Sequence, residues 1–242
     1  MSSHSIAAYN AAGRIERYDA DMDLMHPNRP EMVRVVLDFL PVPQDEEFTA
    51  IELGCGPGFF TRRFLERFPG ARVIAVDGAP AMIDLARVRL AALAARVDFL
   101  VADIRSLTAA VPAREIARAV FTSYTLHHLT AAEKAALASQ LLELLGPGGW
   151  FLNADLIVAS SAEIEARIQQ LRVEGILRRA ASADPRFPDA SSVRSFLDAL
   201  ETADGDQPLP LEEDLRILRG SGFTNAAVLW LEHREAVIAA PR

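Results

Sequence analysis

Apolar positions along the chain follow two periods. Val33, Val36, Leu37 and Leu40 recur at helical spacing across residues 31–40, and Pro41 and Pro43 stop that helix. From residue 50 onward, short apolar runs alternate with helical stretches. The runs predict strands over 50–53, 72–77, 97–101, 119–124 and 150–156. The stretches predict helices over 59–68, 80–94, 131–145 and 211–220, with Pro80 at a favoured early position and Gly146-Pro147-Gly148-Gly149 as a stop. Strands alternating with helices imply parallel pairing through right-handed crossovers, and hence a doubly wound α/β sheet. Residues 160–200 read as helical and interrupt the alternation, and a loop over 204–210 follows. Two closing strands, 226–231 and 235–239, lie so close in sequence that they predict an antiparallel hairpin at the sheet edge. Residues 1–30, with the Pro-flanked turn His26-Pro27-Asn28-Arg29-Pro30, read as helix and loop outside the main fold.

Composition narrows the function classes. With 50% hydrophobic residues in 242, a sizeable core is within reach and extended disorder is excluded. A formal charge of -8 argues against a general nucleic-acid binder, which needs a basic face for phosphates. The lone Cys55 excludes a disulfide framework within the chain and a cysteine zinc cluster, and makes a cytoplasmic location the simplest expectation. No apolar run has the length of a membrane helix, and the N-terminus lacks the charged start and apolar centre of a signal peptide.

The chemistry-bearing signal is Glu52-Leu53-Gly54-Cys55-Gly56-Pro57-Gly58, between a strand and a helix. Glycines there permit a tight turn and close backbone approach by a ligand, and the helix start offers free N–H groups. Relative to the dinucleotide fingerprint, the third glycine comes one residue early. Asp77 ends the second strand, where a carboxylate can accept both ribose hydroxyls. Asp103 ends the third, where it could meet an adenine amino group, with Met82 and Ile104 placed to sandwich the base. As plain structure, the two aspartates are helix caps and Met82 is core. Their recurrence at successive strand ends beside a glycine loop favours a ligand site.

In these motifs the sequence resembles the class I S-adenosylmethionine-dependent methyltransferases. Further matches are Ser123-Tyr124-Thr125-Leu126-His127-His128-Leu129, the turn Leu145-Gly146-Pro147-Gly148-Gly149, and Gly222-Phe223 before the hairpin. The resemblance implies a Rossmann-like, mostly parallel sheet of seven strands over residues 31–242. Residues 1–30 and the helical insertion at 160–209 would cover an acceptor pocket. It implies S-adenosylmethionine as cofactor, S-adenosylhomocysteine as product and a small-molecule methyl acceptor, with neither nucleic acid nor membrane as partner; a homodimer is compatible with it. Glu52, Gly54, Gly56, Gly58, Asp77, Gly78, Met82, Asp103, Ile104, Ser123 and Tyr18 would bind the cofactor, Gly54, Gly56 and Gly58 lining its methionine part.

Methyl transfer from a sulfonium needs an acceptor aligned with the C–S bond, exclusion of water, and often a base. His127, His128 and Tyr124 are the catalytic candidates, with His26, Tyr18 and Asp155 as further bases. The plain alternative for the pair is that one imidazole points inward and caps the next helix. Tyr9, Tyr18 and His26 fall in the covering segment, and Arg172, Arg178 and Arg179 on the insertion could hold an acidic substrate or form a solvated helix face. Cys55 reads as a small loop residue rather than a nucleophile. No metal is expected: the segment after the fourth strand lacks an acidic pair, and adjacent histidines do not make an i, i+4 zinc pair. Competing readings are a non-methylating enzyme similar to carboxy-S-adenosylmethionine synthase, which needs a cation such as Arg178 or Arg179, a non-catalytic cofactor-binding protein, and an NAD-dependent dehydrogenase, which the early third glycine disfavours.

Overall fold

A computed structural model of the protein describes residues 3–112, 116–180 and 184–242. Residues 1–2 of the expected N-terminal segment and 181–183 of the insertion lie outside them. The chain opens with helices α1 (Ser3–Ala8), α2 (Ala12–Met25) and α3 (Arg29–Phe39). The alternation follows: β1 (Phe48–Leu53), α4 (Phe59–Arg67), β2 (Ala71–Asp77), α5 (Pro80–Arg89), β3 (Val97–Val101), α6 (Leu107–Ala110), β4 (Ala117–Ser123), α7 (Ala131–Leu144) and β5 (Leu145–Leu156). The insertion folds as α8 (Ala162–Arg179) and α9 (Ala190–Asp204), and α10 (Leu211–Gly220), β6 (Ala227–Glu232) and β7 (Glu235–Pro241) close the chain.

The seven strands form one sheet in the order β3-β2-β1-β4-β5-β7-β6. The first five are parallel, and β7 runs antiparallel to both β5 and β6. Successive strand residues bury on opposite faces. Ile51, Leu53, Ile74 and Val76 pack with α7 and α10, whereas Ala50, Val73, Ala75 and Phe121 pack with α3 and α4. On the second face Phe64 stacks on Phe121 with ring centroids 4.3 Å apart. A separate small cluster, Met25, Val173, Ile176, Phe187, Val193 and Leu197, joins α8 and α9 to the end of α2.

The expected helix over 80–94 ends early. Its alanine-rich second half becomes a 3₁₀ turn, Ala91–Arg96, that returns the chain to β3. Arg96 anchors that turn by donating to the carbonyls of Leu65 and Pro69 at the end of α4 and just beyond it, where a cation suits the helix dipole. The fifth strand starts early, because Leu145 pairs with Ala117 across a register shift before Trp150 pairs with Ala119.

On the far face, Lys134 of α7 and Asp214 of α10 form a buried pair at 2.7 Å. Asp214→Ala would leave the ammonium buried without its partner. The expected loss is about 3–5 kcal/mol of unfolding free energy in urea titration, and a loss below about 1 kcal/mol would contradict the pair's role.

Candidate active site

The parallel register brings the strand ends level. Leu53 aligns with Val76 and Asp77 with Val101. Thr122 lies beside Leu53, and Ser123 beside Ala154. Gly54, Gly78, Asp103, Tyr124 and Asp155 therefore gather along one edge, the carboxyl edge where doubly wound sheets bind ligands.

Gly54 has φ +65°, and a Cβ there would stand 2.2 Å from the Thr125 hydroxyl oxygen. Only glycine fits that turn against the β4 loop. Thr125 in turn donates from Oγ1 to the Ser123 carbonyl at 3.0 Å. Asp77 sits under the loop: one carboxylate oxygen accepts from the Gly56 N–H at 2.8 Å and the other from the Ala79 N–H at 2.8 Å. Burial raises its pKa, and these N–H groups oppose that rise. With about four lone-pair directions, the carboxylate retains acceptor capacity for hydroxyls.

Glu52 points from β1 into the apolar face, where the Thr61 hydroxyl donates to it. Burial, opposed by that hydrogen bond and reinforced by Asp77, pushes its pKa up to about 8. The folded chain therefore keeps a proton that the unfolded chain releases above its ordinary value near 4.5. Stability must fall as pH rises through this window and level off above about 8. Glu52→Gln is expected to flatten that fall, gaining about 3–5 kcal/mol over wild type at the alkaline end. Melting curves from pH 5 to 9 check this, and parallel curves for the two proteins would contradict it. Burial likewise pushes the Cys55 thiol well up, which fits a loop residue rather than a nucleophile.

The remaining cofactor candidates lie around this centre. Met82, in the first turn of α5, and Ile104, directly after Asp103, are both buried. Asp103 caps the 3₁₀ turn after β3 by accepting from the Arg105 N–H at 2.9 Å and pairs with the Arg105 guanidinium. These contacts outweigh its partial burial and hold its carboxyl at about 2. Gly58, at φ +85°, starts α4. Gly78 is covered by Ile6 of α1, and the Tyr18 hydroxyl lies over Gly56, 3.5 Å from where a Cβ would stand. The N-terminal helices thus lie directly on the glycine loop and the β2 turn, and Asn10 accepts from the Ala81 N–H at 3.2 Å.

At the β4 end, His127 and His128 occupy a short 3₁₀ turn and are both buried. Neither caps α7: Thr130 and Glu133 form a reciprocal capping box there. His127 Nδ1 lies 2.6 Å from Asp155 Oδ1, and Asp155 Oδ2 accepts from the Leu126 and His127 N–H groups at 2.7 and 3.0 Å. Burial lowers the His127 pKa, but Asp155 and then Asp206 outweigh it, so the imidazole stands above its ordinary value. Asp155, despite burial, is held below its usual range by His127. Asp206 approaches from the loop before α10, 3.6 Å from His127 Nε2 and 3.1 Å from His128 Nδ1. The second approach lacks hydrogen-bond alignment, and burial keeps His128 below its ordinary pKa. That loop is fixed by Gln207, whose N–H donates to the His127 carbonyl at 2.7 Å.

Tyr124 has an uncommon positive φ of 48°. Such strain gathers at ligand-facing turns. Its hydroxyl donates to Glu235 at 2.7 Å, and burial followed by the Glu235 charge pushes the phenol well up, so it serves as donor and not as base. Glu235 also accepts from Asn28 at 2.8 Å and meets His26 Nδ1 at 3.2 Å.

Sequence reasoning missed Asp206, Glu235 and Arg29. The first two lie far along the chain from the motifs, although Glu235 opening an otherwise apolar strand was a usable signal. Arg29 starts α3, is buried, and stacks its guanidinium 3.6 Å from the Phe59 ring centroid at the head of α4. Its Nη1 has no hydrogen-bond partner among the described residues. Between the histidine turn and the covering helices lies a small cavity of about 30 Å³, lined by Tyr9, Tyr18, His26, Tyr124, His127 and Asp206 among others. A space of that size admits water but not an organic molecule.

Residues 50–149, which carry the glycine loop, Asp77, Asp103 and the histidine turn, match the family model of a methyltransferase domain. Over those residues the chain is similar to methyltransferase domains. Over 120 residues, 49% of the chain, it is 37% identical to a trans-aconitate 2-methyltransferase of Azoarcus sp. (strain BH72), of which the match covers 44%. Over 121 residues, 50% of the chain, it is 36% identical to a malonyl-[acyl-carrier protein] O-methyltransferase of Serratia marcescens, of which it covers 43%. The match thus spans less than half the length of these relatives. An O-methyltransferase family protein from Burkholderia thailandensis shares the fold, with TM-score 0.65, 20% identity, and coverage of 98% of this chain and 62% of that one. Outside the matched segment lie α1 to α3, the second half of β5, the α8–α9 insertion, α10 and the closing hairpin. No helix among the described residues is long and apolar enough to cross a membrane.

Proposed function

We propose that the protein transfers a methyl group from S-adenosylmethionine to a small-molecule acceptor by in-line displacement, as a cytoplasmic enzyme. The observation that carries this reading is the junction, at one sheet edge, of the Asp77-braced glycine loop with the buried His127–Asp155 pair. The cofactor's sulfonium supplies an already activated methyl group. Gly54, Gly56 and Gly58 allow its close approach, Asp77 accepts from its ribose, and Met82, Asp103 and Ile104 receive its adenine. Gly78, Ser123 and Tyr18 complete the contact surface, and Glu52 stays buried beneath the loop against Thr61. The residues present fit a zwitterionic methionine tail: the buried Arg29 Nη1, which faces Asp19 at 4.0 Å but makes no hydrogen bond, is a donor suited to its carboxylate.

His127 is the proton acceptor in this reading. Asp155 fixes its Nδ1–H, leaving Nε2 toward the inner cavity. Tyr124 shapes the wall of that cavity, and His128 packs behind it against His127. Residues 1–30 and 160–209 act as the cover that excludes water, and residues 31–242 form the domain beneath.

The test is to incubate the protein with trideuteromethyl S-adenosylmethionine and a small-molecule cell extract and to look for new masses carrying the label. Enzyme-dependent labelled products are expected. Cofactor turnover without any labelled product, or a carboxylated cofactor in its place, would overturn methyl transfer.

A further inference from the structure

Beside the inner cavity lies a larger one, of about 220 Å³, enclosed by α8, the β6–β7 turn and the segment between α2 and α3. Its charge balance is unusual. Arg172 of α8 and Arg234 of the turn are both buried at the guanidinium, with side-chain exposures of 9% and 8%, and both close on the single carboxylate of Glu201 from α9. Arg194 also approaches Glu201, at 3.7 Å, but has Asp198 at 2.7 Å as its own partner. Two buried cations therefore hydrogen-bond a single carboxylate, with Asp206 as the further acid within electrostatic reach of Arg234. Arg234 Nε is buried with no hydrogen-bond partner among the described residues. The acids in the wall do not redress this: Glu235 is engaged by Tyr124, Asn28 and His26, and Glu232 is exposed.

An uncompensated buried charge is costly, and a paired guanidinium surface matches the planar oxygens of a carboxylate or the tetrahedral oxygens of a phosphate. The fold maintains this arrangement at a cost. His233 takes a positive φ of 51° in the two-residue turn that buries Arg234. Gly175 lies within α8 on the cavity wall, where a Cβ would stand 2.9 Å from the Arg179 guanidinium. Met25, His26 and Arg172 line both cavities, so the arginine cavity adjoins the space beside His127.

We propose that Arg172 and Arg234 form an anion subsite that binds a carboxylate or phosphate group of the methyl acceptor, so that the substrate class is a small acid. This rests on the reading of the site as a methyltransferase centre. Exposed Arg178 and Arg179 at the rim add attraction for the incoming anion.

The test uses the full chain, with succinate and inorganic phosphate as probes in calorimetric and thermal-shift titrations at constant ionic strength, and sodium chloride as control. Saturable binding of succinate or phosphate is expected, and the preferred probe identifies the anion. Arg172→Gln and Arg234→Gln should each weaken it at least tenfold, and the exposed Arg178→Gln about two- to threefold. No saturation beyond the chloride control in wild type, or binding that survives both buried substitutions, would overturn the subsite. If a buried variant fails to fold, the wild-type titration and Arg178→Gln still decide. A parallel titration with S-adenosylhomocysteine separates the two readings. Retained cofactor binding without anion binding overturns the subsite alone. Arginine-dependent anion binding without cofactor binding overturns the methyltransferase reading alone.

Discussion

Asp77→Ala is expected to weaken S-adenosylhomocysteine binding by about two to four orders of magnitude. Hydrogen bonds to a charged group contribute about 1.5–3 kcal/mol each. A ribose would lose two of them, or about 3–6 kcal/mol, with tenfold in affinity per 1.4 kcal/mol. A second loss adds to this, because Asp77 braces the Gly56 and Ala79 N–H groups that shape the loop and the head of α5. Asp77→Asn is no rescue, since one side of an amide would present N–H to N–H. Calorimetry on both variants, with far-ultraviolet circular dichroism as a folding control, measures the effect. An affinity within threefold of wild type in a folded variant would contradict the role of Asp77.

The second large effect is on turnover. His127→Gln is expected to lower methyl transfer by about 10²–10⁴, the usual contribution of a positioned base, while S-adenosylhomocysteine affinity stays within about threefold. The pH profile adds a sign. The base must be neutral, and Asp155 and Asp206 hold the His127 imidazole above its ordinary 6.5. Wild-type kcat/KM should therefore rise with pH through an inflection above 6.5. Asp155→Asn removes a charge that raises it, so the inflection should move down, alongside some loss of stability from the N–H groups Asp155 accepts. An unchanged rate in His127→Gln, or an inflection that ignores Asp155, would remove His127 from the chemistry.

The fold was legible because its central strands are buried on both faces and therefore read as apolar runs against amphipathic helices. Runs such as residues 72–77 and 150–156 needed no tertiary information. The misreadings have local causes. Residues 91–96 are alanine-rich and helix-prone, but the return to β3 and the carbonyls waiting for Arg96 make a 3₁₀ turn there. The turn 146–149 reads as a stop, yet Leu145 just before it finds a partner in Ala117 and extends β5.

The site was legible where chemistry and chain order coincide, from the glycine loop to the histidine turn. It was not legible where partners come from distant segments. Asp206 is one acid in a polar loop until Gln207 ties that loop to the His127 carbonyl. Arg172 resembles any charge on an amphipathic helix until Arg234 and Glu201 meet it. Tyr124 appeared as a base candidate, and only its contact with Glu235 makes it a donor.

The central claim, that the glycine loop and Asp77 bind S-adenosylmethionine, is tested most directly by calorimetric titration of the full chain with S-adenosylhomocysteine and, separately, with NAD. Saturable one-to-one binding of S-adenosylhomocysteine in the micromolar range or tighter, with no heat from NAD, is the expected result. Tight NAD binding with none of S-adenosylhomocysteine would contradict the account.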